Sequence, residues 1–262
     1  MSDAIYHPDG PSRFAPTELA RGPWDPNAQH GGAPAALLAG TLEQVDSDAP
    51  MAIKRITYEF LRPIPLAPIE VRTRLTRPGR RVQLLEATLH AGDDEVARAV
   101  ALRIRSDAIA APDPLGEKPP PRDPGASDPI HMPAFERGPS GFARDAMEIR
   151  FAAGTFTAVG PAFAWFRLRV PVIAGEPLTP LQRLAAAGDF GNGIASAVSW
   201  STHVFINPDL TIYVEREPAG EWVGLDAVTR VGTQGAGISD SVLHDERGRV
   251  GRSMQSLYVA ER

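Results

Sequence analysis

Asp189 stands in Ala187-Gly188-Asp189-Phe190-Gly191-Asn192-Gly193, one carboxylate among three glycines. Glycines let a substrate approach the backbone closely, and a carboxylate can take a proton from a water aimed at a carbonyl carbon. The same residue follows a helical run from Leu181 to Ala187, so it equally suits the cap of the next segment. His30, before Gly31 and Gly32, is an imidazole at a second glycine-marked helix start. It serves either as a base or as a turn histidine bonded to backbone. Helix starts of this kind point backbone N–H groups outward at the positive end of the macrodipole, which suits a developing oxyanion. Asp25, His30 and Asp189 match no known ligand spacing, so no metal is expected. Arg72, Arg74, Arg77, Arg80 and Arg81 would suit phosphate groups, yet exposed strand faces carry such charges routinely.

The elements that must hold these residues follow from periodicity. After Gln29-His30-Gly31-Gly32 come Ala33 to Leu42, with Leu37, Leu38, Leu42 and Val45 near helical spacing and alanines on the other faces. That pattern predicts a helix over about 31–45, buried nearly all round. Strands are expected at 51–62, 67–76, 80–91 and 95–105, with a hairpin at Gly92-Asp93-Asp94. A further short strand is expected over Phe14–Ala20, and an aromatic-rich one over Ala162–Val170. Prolines crowd residues 107–139, which read as a linker running over the surface.

The second half repeats the first. Thr76-Arg77-Pro78-Gly79 matches Thr229-Arg230-Val231-Gly232 at an offset of 153, and Leu89-His90-Ala91 matches Leu243-His244-Asp245 at 154. A helix over about 178–200 echoes the first one. Laying the repeats over each other puts Asp189 on Gln29 and Gln255 on Ala101, so one site per chain is expected. The boundaries read as 1–106 for the first unit, 107–145 for the linker and 146–262 for the second unit.

Composition bounds the function. The 262 residues are 43% apolar and 23% charged with a net charge of -5, which leaves no footprint for nucleic acid or a membrane surface. Zero cysteines exclude disulfides, thiolate metal sites and cysteine nucleophiles. No signal peptide or membrane span is apparent, and a cytoplasmic setting is the default.

Gly22-Pro23-Trp24, then His30-Gly31-Gly32, the duplicated helix-plus-sheet, Asp189 and Gln255 together resemble the type-II acyl-CoA thioesterases, the TesB-like branch of the thioesterase superfamily. The resemblance implies an α+β double hotdog: two antiparallel sheets, each wrapping one central helix. It implies an acyl-CoA substrate and hydrolysis by a bound water, with no cofactor. Asp189 and Gln255 fall on the family's Asp and Gln that hold this water. The family's hydroxyl residue falls on Phe205, which has none, so Thr202 or Ser201 would have to supply it from a shifted register. His30, Gly31 and Gly32 would meet the thioester carbonyl. Exposed sheet edges imply a homodimer or higher oligomer. Two alternatives stay open: an acyl-thioester binder without catalysis, and a hotdog hydratase or dehydratase. The latter needs a His–carboxylate pair, for which His30 is the candidate but lacks an Asp in its own half.

Overall fold

The computed structural model describes residues 3–107, 120, 122–129 and 139–262. Two short strands open it, β1 (Tyr6–Pro8) and β2 (Arg13–Pro16). The strand expected over Phe14–Ala20 stops at Pro16. Thr17 there turns to cap a 3-10 turn at Glu18–Ala20, its hydroxyl accepting from the Leu19 N–H.

Helix α1 (Gly32–Glu43) follows, and Ala33, Ala35, Ala36, Leu37, Leu38, Ala39 and Leu42 in it are all fully buried. Such a helix is stable only inside a wrapping sheet. The wrap comes from β3 (Met51–Phe60), β4 (Ile69–Arg77), β5 (Val82–Ala91) and β6 (Asp94–Arg105), all antiparallel. Gly92 turns the β5–β6 hairpin at φ 61°, a conformation that favours glycine.

Of the expected linker 107–139, only 107, 120, 122–129 and 139 lie among the described residues. They include a 3-10 turn at Pro124–Ala126 and the two-residue strand β7 (Asp128–Pro129). This segment lies on the outer face of the second half, where the Arg122 carbonyl accepts from Trp165 Nε1 at 2.9 Å.

The second half comprises β8 (Met147–Ala153), β9 (Ala162–Leu168), α2 (Pro180–Gly188), a four-residue helix α3 (Gly191–Ile194), β10 (His203–Ile206), β11 (Asp209–Val214), β12 (Val223–Val231), β13 (Ala236–Asp245) and β14 (Gly248–Glu261). Thr179 and Gln182 make a reciprocal capping box at the start of α2. The single helix expected over 178–200 is therefore two helices and ends at Ile194.

The cause of the break is a strand side chain. Gln255 on β14 accepts the Asn192 N–H at 3.1 Å and donates to the Asp189 carbonyl at 3.1 Å. Its amide occupies backbone groups that a continuous helix would bond internally, a known cause of helix interruption.

The strands form one sheet in the order β1-β2-β4-β5-β6-β3-β11-β14-β13-β12-β9-β8-β7, with β10 also on β14. The order is nearly palindromic about the β3–β11 seam, where Glu59 to Arg55 pair with Asp209 to Tyr213. The two hotdog sheets are thus joined edge to edge through backbone bonds. An offset of 154 relates β3 and β6 to β10, β11 and β14: Met51 pairs with Arg105 as Phe205 pairs with Val259.

Helices α1 and α2 run antiparallel in the centre. A Cβ on Gly32 would meet the Ala186 carbonyl oxygen at 2.6 Å, and one on Gly40 would collide with Gln182 Nε2. The start of α1 therefore faces the end of α2, which corrects the overlay of Asp189 on Gln29. Both residues lie at the same end of the helix pair, and the counterpart of Asp189 is the far end of α1, near Glu43.

Candidate active site

The start of α1 is fixed from outside the helix. The His30 N–H donates to the Ala20 carbonyl at 2.8 Å, and Gln29 is held by Tyr6 Oη and the Pro65 carbonyl. The His30 ring packs against Phe142 and Phe190, with centroids 5.0 and 4.5 Å away. Its Nδ1 lies 3.1 Å from Asp189 Oδ2, across the boundary between the halves. The same Nδ1 lies 3.1 Å from the Gly32 N–H. One ring nitrogen cannot serve both partners at once: protonated, it donates to Asp189, and unprotonated, it accepts from Gly32. The carboxylate missing from the histidine's own half is supplied by the other half.

Asp189 is almost fully enclosed, its side chain 4% exposed. Its Oδ1 accepts from Asn207 Nδ2 at 2.8 Å and from Gln255 Nε2 at 3.3 Å. Hydrogen bonds to a charged group are worth about 1.5–3 kcal/mol each, enough to fix the carboxylate's orientation. Oδ2 is left toward His30 and Gly31. Gly31 is so close that a Cβ there would stand 2.7 Å from Oδ2. Among the described residues the Gly31 N–H makes no hydrogen bond.

Asn207 is the residue that sequence reasoning missed. The repeat of β3 in the second half is β10 plus β11, broken at Asn207-Pro208. The equivalent point in β3 is a bulge between Ile53 and Arg55. Proline has no N–H for the ladder, and the break brings Asn207 to Asp189. The signal was present as an Asn-Pro pair, a turn dipeptide, inside a strand pattern. Phe205, two residues earlier, is 2% exposed and packs edge-on to Trp24 and Trp200.

Ser201 and Thr202 are not brought to the site. Both are exposed, with Ser201 Oγ bonded to Ser199 Oγ and Thr202 Oγ1 to His203 Nδ1, each at 2.8 Å. They belong to the turn before β10, upstream of the strand break that holds Asn207. Gln255 reaches Asp189 but is 2% exposed and is absent from the cavity wall.

A cavity of about 470 Å³ opens beside this cluster, walled by His30, Gly31, Asp189, Asn192 and Asn207 together with apolar and aromatic side chains. A second cavity, about 350 Å³, lies at the other end of the helices. Its walls repeat the first at the strand offset: Ile53 stands for Asn207, Lys54 for Pro208 and Val214 for Phe60. Ala101 stands for Gln255 in the same register. The repeated positions thus lack both amides that hold Asp189. Arg72 and Arg74 pair with Glu70 and Glu86 on β4 and β5 and stay outside the cavity beside Asp189. No three His, Asp or Glu side chains gather as a metal site among the described residues.

Two hotdog halves sharing one sheet, with a polar centre where their helices meet, define a double-hotdog protein. Residues 20–104 match the model of the acyl-CoA thioesterase N-terminal domain, and residues 115–259 match that of the C-terminal domain. The chain belongs to the acyl-CoA thioesterase family.

A protein described as a thioesterase II from Thermobifida fusca is 19% identical over 98% of this chain and 96% of its own, with a TM-score of 0.76. One described as a thioesterase from Novosphingobium aromaticivorans is 20% identical over 97% and 98%, with a TM-score of 0.75. The acyl-CoA thioesterase II TesB2 of Mycobacterium marinum is 15% identical over 90% of both chains, with a TM-score of 0.65. At these identities the likeness is one of fold. No curated protein matches the chain. No helix among the described residues is long and apolar enough to cross a membrane.

Proposed function

We propose that the chain hydrolyses acyl-CoA thioesters at the Asp189 centre, with one site per chain. The observation that carries this reading is the division of the Asp189 carboxylate. Oδ1 is engaged by Asn207 and Gln255, while Oδ2 stands beside Gly31 on the wall of the cavity. A water at Oδ2 gives up its proton to the carboxylate as its oxygen attacks the thioester carbonyl. The oxyanion that forms accepts the free Gly31 N–H at the start of α1, where the helix dipole favours negative charge. Collapse breaks the C–S bond, and Asp189 returns the proton to the departing thiolate. Gln255 acts on Asp189 and the α2–α3 break, and Asn207 takes the place expected of a hydroxyl. Phe205 then leaves no gap in the site, which weakens the reading of a binder without catalysis.

Asp189→Asn tests this proposal, because it keeps shape and hydrogen bonding while removing basicity. Release of CoA, followed with a thiol reagent, should fall by about 10²–10⁴-fold with little change in KM. A parental rate would place the chemistry elsewhere.

The His30–Asp189 contact favours a second reading, hydration of an enoyl thioester or its reverse. An imidazole and a carboxylic acid there can exchange a proton at the α-carbon and at a β-hydroxyl. Loss of the conjugated absorbance of an enoyl-CoA, without CoA release, would select it.

A further inference from the structure

The walls of the catalytic cavity are unusually rich in rings. Aromatic residues make up 7% of the chain, yet Trp24, Phe60, Phe156, Phe190, Trp200 and Tyr258 all line this one cavity. A pocket for a saturated chain needs only apolar surface, which Ala, Val, Leu and Ile supply equally well. Rings add a directional attraction for other rings, offset-stacked or edge-on.

The rings are organised. Trp24 stacks on Trp200 with centroids 5.0 Å apart, and Phe205 braces both edge-on from behind. Trp24 is 40% exposed and Tyr258 is 62% exposed, although both border the cavity. Tyr258 has no ring partner among the described residues. Tyr258 pairs with Ile206 across β14 and β10, and Ile206 precedes Asn207. The rim of rings thus continues directly from the catalytic centre.

We propose that the acyl group this cavity selects carries an aromatic ring, held edge-on or offset-stacked by Tyr258, Phe60 and Trp24 while the thioester carbonyl oxygen meets the Gly31 N–H beside Asp189. This inference rests on the thioesterase reading of the same site.

The decisive comparison is phenylacetyl-CoA against cyclohexylacetyl-CoA. The saturated ring is the more hydrophobic of the two, so apolar burial alone would favour it or leave the pair equal. Selection by rings reverses that order. Each ring pair is expected to favour the phenyl compound by about two- to twelvefold in kcat/KM, from the usual strength of aromatic contacts. Tyr258→Leu and Phe60→Leu should each lower the preference of phenylacetyl-CoA over cyclohexylacetyl-CoA by a factor in that range.

The N-acetylcysteamine thioesters of the same acids, which lack adenine, should show the same preference. Equal or better turnover of the cyclohexyl compound overturns the proposal. So does a Tyr258→Leu effect that is equal for all CoA thioesters and absent for the N-acetylcysteamine series, which would assign the rings to adenine. Calorimetric binding of the two CoA thioesters to Asp189→Asn decides the ring preference even if no acyl thioester is hydrolysed. Failure of hydrolysis would sink the thioesterase reading separately.

Discussion

Adding one methyl group at Gly31 isolates the role of the Asp189 carboxylate. The backbone there has φ -55° and ψ -29°, ordinary helical values that alanine adopts without strain. The new Cβ would lie 2.7 Å from Oδ2 and 3.1 Å from Cγ and Oδ1. Ordinary contact begins at 3.4 Å, so the carboxylate must retreat by about 0.7 Å. Retreat strains the 2.8 Å bond from Asn207 and opens the contact with His30.

A displacement of about 1 Å in a reacting group can cost on the order of 10²-fold in rate, so Gly31→Ala should lower kcat by roughly 10- to 100-fold. The weakened hydrogen bonds cost about 1–3 kcal/mol. Restriction of the unfolded chain offsets about 0.4–1 kcal/mol of that. For a chain of this size the melting temperature should fall by only a few degrees, at about 2–4 °C per kcal/mol. CoA release and a thermal melt on the same preparation measure both. A kcat within twofold of the parent, with the fold intact, would show that this carboxylate does not act on the substrate.

Ser201→Ala and Thr202→Ala should leave steady-state hydrolysis unchanged, whereas Asn207→Ala should slow it by at least tenfold, and the reverse ranking would restore the hydroxyl expectation. Burial pushes the fully buried Asp245 carboxyl up, but Arg216 and the N–H groups of Ala219 and Arg247 outweigh it and hold it below the usual carboxylate value. Its stabilisation is complete above the ordinary carboxylate range and is lost as pH falls through the lowered value. Asp245→Asn should therefore cost about 3 kcal/mol at neutral pH and flatten the acid side of the stability curve, as urea melts between about pH 3 and pH 7 would show. Tyr213, Ile238 and Met254 expose apolar surface on the outer face of the sheet, so light scattering should give at least twice the 28.1 kDa chain mass; a single-chain mass would refute association.

The buried helix and the half-buried strands were legible because one periodicity dominates each. Alanine and leucine on every face left α1 no role except the centre of a wrap, and β3 to β6 lie within a few residues of expectation. Asp189 stood out because a carboxylate among glycines is chemically conspicuous. Two features were illegible for physical reasons. Pattern reading has no sense of direction between helices, so it could not show that α1 and α2 are antiparallel and that His30 meets Asp189 across the halves. It also assumes an unbroken strand, whereas Pro208 interrupts the ladder and moves the polar position to Asn207. Gln255 alternates along β14 like any other strand residue. Only the broken helix opposite it reveals what its amide does.

His30 and Gly31 come from one half, while Asp189, Asn207 and Gln255 come from the other. An assembly of two identical single units would have to encode both sets in one sequence and would repeat them at both ends of the helix pair. Fusion into one chain removes that obligation. Each half is free to specialise, one supplying His30 and Gly31 and the other the Asp189 carboxylate with its two amides, and the far end can fill the matching positions with Ile53 and Ala101. Substitutions at that end need not preserve the amides that hold Asp189, so the two ends of this near-symmetric molecule can accept change at different rates.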